Sequence, residues 1–328
     1  MRTCAQFCAG FNCAGAVLLS ASASAQNLYV AAGDFQSPVL PIENASDNIY
    51  LATPGENVSI FANNAGDIVR GLTFNESGNL FALTAGPDGS VIQITPGGAR
   101  NTYASGLSAP FDLAFNSSGS LFVSEGGTAT VPEIVEITPG GGTATTFATG
   151  LIDPRGLAFN SAGDLFVADA TSNILEFTQG GTKTLFATGL ADPFGLAFNS
   201  AGNLFVADAG SGDITEITPD GTESTYATGL DHPRYITFDS SGDLFVSNLG
   251  TAGADGVDNN GYLTEIMPNG TKTNFDEGFI DLSGLAISPA PEPSATGLIV
   301  IGIVGLFIRR RRVLHATYGQ RSENVSTF

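Results

Sequence analysis

The chain has 328 residues, of which 42% are hydrophobic and only 13% charged, a balance that excludes an intrinsically disordered protein. Acidic residues outnumber basic ones by 32 to 12, and between Gln26 and Ala290 by 30 to 6, so the body carries a net −24. Such a body repels phosphate backbones, which argues against nucleic acid as a partner, and its charge keeps a folded domain in solution.

In chain order, residues 1–25 open with Arg2, pass through the small and apolar run CAGAVLLSASA, and end in Ala23-Ser24-Ala25. That order predicts a signal peptide cleaved before Gln26, its apolar run being too short for a permanent membrane span. The three cysteines, Cys4, Cys8 and Cys13, all lie within it. The body is therefore left with no disulfide and no thiolate metal site.

The middle of the chain is a repeat array. GLTFNESGNLFALTA starts at Gly71, DLAFNSSGSLFVSEG at Asp112, GLAFNSAGDLFVADA at Gly156, GLAFNSAGNLFVADA at Gly195, YITFDSSGDLFVSNL at Tyr235, and the fragment GLAIS at Gly284. The successive spacings of 41, 44, 39, 40 and 49 residues match the period of a four-stranded propeller blade. In the third copy, strands are predicted at Gly156–Phe159, Leu165–Asp169, Ile174–Phe177 and Lys183–Ala187. The turn Asn160-Ser161-Ala162-Gly163 joins the first two, with glycine free to take a positive φ. The second strand, LFVA, is apolar at successive positions, so both its faces must be buried, as between adjacent blades.

The N-terminal segment Asn27–Ala32 matches a second strand, not a first, and Asn48–Thr53 and Asn57–Ala62 supply a third and fourth. Its missing first strand is Gly284–Ser288. The expected fold is an all-β, six-bladed β-propeller over residues 26–288, closed where the C-terminal strand 284–288 completes the N-terminal blade. Closure also removes the exposed sheet edges.

Beyond the repeats, Pro291-Glu292-Pro293 precedes the apolar SATGLIVIGIVGLFI and then Arg309, Arg310, Arg311 and Arg312. An apolar run of about 15 residues is short of the roughly 20 that span a bilayer, and the arginines suit the cytoplasmic side. Residues 289–312 resemble a PEP-CTERM sorting signal. That resemblance implies export, transient membrane association through the apolar helix, recognition by an exosortase-type processing enzyme, and a destination at the cell surface or in extracellular polysaccharide. The polar tail 313–328 departs from the usual pattern, which ends soon after the basic cluster.

The repeats, for example DPRGLAFNSAGDLFVADA, resemble NHL repeats and the related SMP-30/gluconolactonase-like propellers over nearly all of residues 27–288. The resemblance implies ligand binding at the channel mouth. There it places Arg70, Phe111, Arg155, Phe194, Arg234 and Ser283, just before the first strands. It also places there Ala32, Thr84, Glu125, Asp169, Asp208 and Asn248, at the ends of the second. Arginine would grip a carboxylate or phosphate, and phenylalanine would stack on a sugar; the bland alternative is that the arginines pair with neighbouring acids. Glu125, Asp169, Asp208 and Asn248 offer oxygen donors suited to Ca2+ or another divalent cation. The asparagine that SMP-30-like lactonases carry before the first-strand glycine is not matched, however; Arg155, Phe194 and Arg234 stand there. Two histidines, His232 and His315, cannot build a multi-histidine zinc site. The expectation is a non-enzymatic, exported scaffold that binds extracellular polysaccharide or a surface protein. The alternative is a divalent-metal-dependent, lactonase-like hydrolase.

Overall fold

The computed structural model describes residues 27–33, 48–53, 57–62, 69–85, 88–126, 131–250 and 261–289. The signal peptide, the Pro291-Glu292-Pro293 motif, the arginine cluster, the polar tail and the 251–260 insertion lie outside them. Among the described residues every regular element is a strand, and no helix is long and apolar enough to cross a membrane.

Five blades are each held locally by the first turn; the blade built from both chain ends has no such turn. The repeated Asn (Asp239 in one copy) accepts, through Oδ1, the N–H of the residue four positions on. The distance is 2.9 Å at Asn75, Asn116, Asn199 and Asp239 and 2.8 Å at Asn160. The glycine one residue before that donor sits at φ 85° in the case of Gly163, a conformation a Cβ would strain. The Asn-x-x-Gly spacing is thus the cause of the hairpin. The LFVA strands that follow are buried along their whole length at Leu80–Thr84, Leu121–Glu125, Leu165–Asp169 and Leu204–Asp208.

The strands form four four-stranded antiparallel sheets and one seven-stranded sheet. The larger sheet is two blades joined by one strand, Lys272–Ile287. Its first part pairs with Gly261–Ile266, and its second pairs with Leu28–Gly33, with Leu28 opposite Ile287. The predicted closure is therefore present, but 284–288 is the end of a 16-residue strand and not a separate one. Four of the other five inner strands begin at a proline (Pro110, Pro154, Pro193, Pro233), and the fifth begins at Val69. No proline interrupts 272–287, so the ladder runs on.

The inner strands Val69–Phe74, Pro110–Phe115, Pro154–Phe159, Pro193–Phe198, Pro233–Phe238 and the end of Lys272–Ile287 contact one another in sequence, and the last contacts the first. The result is a closed β-propeller ring. Between blades the core is aromatic. Phe166 meets Phe186 of its own blade at 4.9 Å and Phe198 of the next at 5.1 Å, both edge-to-face. Phe81, Phe122 and Phe205 repeat this triad. Each pair adds about 0.5–1.5 kcal/mol beyond its buried area.

Candidate functional site

At the end of the ring where the inner strands begin, the guanidinium of Arg70 lies 4.8 Å from the centre of the Phe111 ring in the next blade. Arg155 and Arg234 approach the one Phe194 ring from the blades on either side, at 4.8 and 5.0 Å. The sequence had suggested that these phenylalanines would stack on a sugar. The structure gives them a different part: their faces are taken by arginines, and Phe194 is itself buried. The rings orient the guanidinia and partly desolvate them, which strengthens any ion contact they make.

The three arginines differ in charge compensation. Arg155 pairs with Asp192 at 2.6 Å and with Asp153 at 3.2 Å, as the bland alternative expected. Arg70 and Arg234 have no ion pair among the described residues. Ser283, at the same repeat position, is buried and donates to the carbonyls of Val69 and Ala31, which closes the ring rather than facing the mouth. His232 is exposed, with Nδ1 2.9 Å from Asp231.

The second-strand residues do different work from that expected of metal ligands. Asp169 accepts the N–H groups of Ile152 and Asp153 at 3.3 and 2.9 Å. Asp208 likewise accepts Ala191 and Asp192 at 2.8 and 2.7 Å. Each carboxylate staples the loop that leads into its own blade's inner strand, including the loop aspartates that hold Arg155. Glu125 is buried, and burial raises its carboxyl above the usual range; the Ser108 N–H opposes this and the Glu133 charge adds to it. Asn248 turns its Nδ2 inward to Thr264 Oγ1 at 2.9 Å, while its Oδ1 is buried without a partner among the described residues. Among the described residues no three His, Cys, Asp or Glu side chains come together as a metal site. The four candidates sit one per blade: Glu125, Asp169 and Asp208 accept loop N–H groups, and Asn248 bonds within its own sheet.

Sequence reasoning missed the two residues that occupy the axis. The repeat position after the arginine/phenylalanine ring reads Gly71, Asp112, Gly156, Gly195, Tyr235, Gly284. A Cβ on Gly156 would collide with the Phe194 carbonyl of the next blade, and one on Gly195 with that of Arg234. Glycine there lets neighbouring strands close in. The exceptions, Asp112 and Tyr235, stand on opposite sides of the ring. Tyr235 donates across it to the carbonyl of Phe111 at 3.5 Å. Asp112 Oδ2 accepts the Leu157 N–H at 3.0 Å. Burial drives the Asp112 carboxyl up to about 7, against the opposing pull of the Leu157 and Leu113 N–H groups. In these same two blades the second strand carries a serine. Ser124 accepts the Asp112 N–H at 3.0 Å and Ser247 accepts the Tyr235 N–H at 2.9 Å. The other blades have Ala31, Leu83, Ala168 and Ala207 at that position. The signal was present in the repeats as paired departures from Gly and Ala.

No family profile matches the chain, and no curated protein is similar to it. Solved structures are similar in fold. A protein of unknown function from Bacteroides caccae has a TM-score of 0.59 at 15% identity, covering 81% of this chain and 99% of that one. A gluconolactonase from Xanthomonas campestris has 0.56 at 16%, covering 61% and 75%. Virginiamycin B lyase from Staphylococcus aureus has 0.54 at 18%, covering 71% and 78%. The shared feature is the propeller itself.

Proposed function

We propose that this chain is an NHL-type six-bladed propeller, exported and sorted by an exosortase-type system, that acts as a binding scaffold at the cell surface or in the extracellular matrix. Its ligand is a small carboxylate-bearing molecule, such as a uronic-acid unit of a polysaccharide, taken at the arginine mouth. One observation carries this reading: Arg70 and Arg234 are held on aromatic rings with no carboxylate partner among the described residues. Two fixed guanidinia on one rim suit a ligand with a carboxylate and neighbouring hydroxyls. The acidic body disfavours a dense polyanion, but charges beyond about 8 Å are screened at physiological salt, so the local arginines dominate for a short ligand. The sorting segment, outside the described residues, supplies the export and the membrane-bound stage in transit.

The test is calorimetric titration of the protein with a glucuronic-acid-containing oligosaccharide and with a neutral glucose oligosaccharide of equal length. The acidic ligand alone should bind, and the double variant Arg70→Ala/Arg234→Ala should weaken it at least tenfold. Equal binding of both sugars, or an unaffected double variant, would overturn the reading.

A second reading, a divalent-metal-dependent lactonase-like hydrolase, draws on the propeller neighbours, among them structures described as gluconolactonases. It requires that Asp169 and Asp208 leave their backbone donors for an ion. Turnover of a gluconolactone that depends on added Ca2+, Mn2+ or Zn2+ would establish it in place of the first.

A further inference from the structure

His232 stands on the rim of the arginine mouth. It precedes Pro233, where the inner strand Pro233–Phe238 begins, and lies two residues from Arg234. In the two preceding blades the residues just before the proline are Asp153 and Asp192, and both reach the ring as partners of Arg155. His232 thus holds a repeat position from which side chains meet a mouth arginine, in a blade whose own arginine has no ion pair among the described residues.

The imidazole is held as a base is held. Its Nδ1 lies 2.9 Å from Asp231 Oδ1. A carboxylate only accepts, so the proton of the neutral ring sits on Nδ1 and the lone pair is on Nε2. The ring is exposed, and Nε2 has no partner among the described residues. Asp231 is fixed in turn: its N–H is donated to the Tyr262 hydroxyl, and its carbonyl accepts the Gly250 N–H at 3.3 Å. The backbone at His232 has φ 50°, and Ala109, before Pro110 in the opposite blade, has φ 47°. The fold accepts alanine at this position, so the turn does not need the imidazole.

We propose that the mouth cleaves the uronide it binds by β-elimination, with His232 as the base; this rests on the reading of Arg70 and Arg234 as a carboxylate site. The C5 proton of a 4-linked glucuronate is only weakly acidic, because its removal pushes charge into a carboxylate that is already negative. Guanidinia on that carboxylate stabilise the charge as it develops. Nε2 takes the C5 proton, the electron pair of the C5–H bond becomes the C4=C5 double bond, and the C4–O bond to the next sugar breaks. In a glucuronate the C5 hydrogen and the C4 oxygen lie on one face of the ring, so the same imidazolium returns the proton to the departing oxygen. One chain becomes two, and neither water nor an oxidant is consumed. Asp231 is a positioning residue that fixes the tautomer and offsets the charge of the imidazolium.

The experiment incubates the full-length protein with a 4-linked glucuronic acid oligosaccharide and follows the ultraviolet absorbance of the unsaturated uronate, with calorimetric binding of the same ligand in parallel. Unsaturated product should accumulate, and none should form from the neutral glucose oligosaccharide. His232→Ala should lower kcat at least a hundredfold and change Kd less than threefold. Asp231→Asn should lower kcat at least tenfold with KM unchanged, a split that mere loss of loop structure would not give. Binding with no product, release of saturated fragments only, or equal turnover by His232→Ala would each overturn the elimination and leave the binding site standing. Failure of the acidic oligosaccharide to bind at all would overturn both readings.

Discussion

Replacing Asp112 by Asn should stabilise the propeller in a strictly pH-dependent way. Burial raises the Asp112 carboxyl from 3.8 to about 7, so in this range the native state holds a proton that the unfolded chain gives up. A raised carboxyl costs nothing at pH values below its unfolded value; the penalty then grows as pH rises and is complete above the folded value. About three pKa units at roughly 1.4 kcal/mol each set an upper figure of about 4 kcal/mol, and the side chain's partial access to channel water brings the expected range to about 2–4 kcal/mol. Asn keeps the acceptor for the Leu157 N–H and carries no charge at any pH. Urea unfolding of both proteins at intervals from pH 4 to 8.5 measures the difference. The curves should coincide near pH 4 and diverge steadily, with Asp112→Asn the more stable above pH 7. Parallel curves across the whole range would refute the reasoning, because the carboxyl would then be as well solvated folded as unfolded.

Other substitutions test the remaining parts of the argument. In one blade Asn203 donates to Glu216 at 2.6 Å; in the next the equivalent pair is Asp243 and Glu265, both buried and both raised by burial first and by nearby carboxylates second. Asp243→Asn should restore the donor and add about 1 kcal/mol at pH 8, with the gain disappearing near pH 4, as read by denaturant titration. Asp169→Ala should cost about 1–3 kcal/mol by orphaning the Ile152 and Asp153 N–H groups, while EDTA leaves the wild-type melting temperature unmoved; a fall with EDTA would instead assign that carboxylate to an ion. Gly156→Ala should cost about 2–3 kcal/mol, since its Cβ enters the Phe194 carbonyl, whereas Gly180→Ala, with 3.9 Å to its nearest atom, should change stability by less than about 0.5 kcal/mol in the same assay.

Much of the architecture was legible in one dimension because its causes are local. An Asn accepting from four residues on, a Gly at positive φ and an apolar LFVA run recur every 40 or so residues, and each acts within a single hairpin or between adjacent ones. The missing first strand of the N-terminal blade could likewise be found at Gly284, because the repeats show which strand each segment should be. The mouth was half legible. The repeats placed Arg70, Phe111, Arg155, Phe194 and Arg234 at one level, but not which arginine would be neutralised. That depends on Asp153 and Asp192 lying on either side of Arg155 once two blades pack together.

The aspartates ending the second strands looked like ion ligands in sequence because a carboxylate's type says nothing of its nearest donor. Folding brings two loop N–H groups to each, and a hydrogen-bonded carboxylate is already satisfied. Asp112 and Tyr235 show the same boundary from the other side. As letters they are two departures from glycine, 123 positions apart. Only ring closure sets them across one axis, where Tyr235 reaches the carbonyl beside Asp112 and the carboxyl loses its water. The sequence alone determined what repeats and where each chain segment turns, since those follow from contacts within a few residues. The tertiary structure decided which charges are paired, which are free and which are buried, since solvation and long-range proximity exist only once the blades have closed.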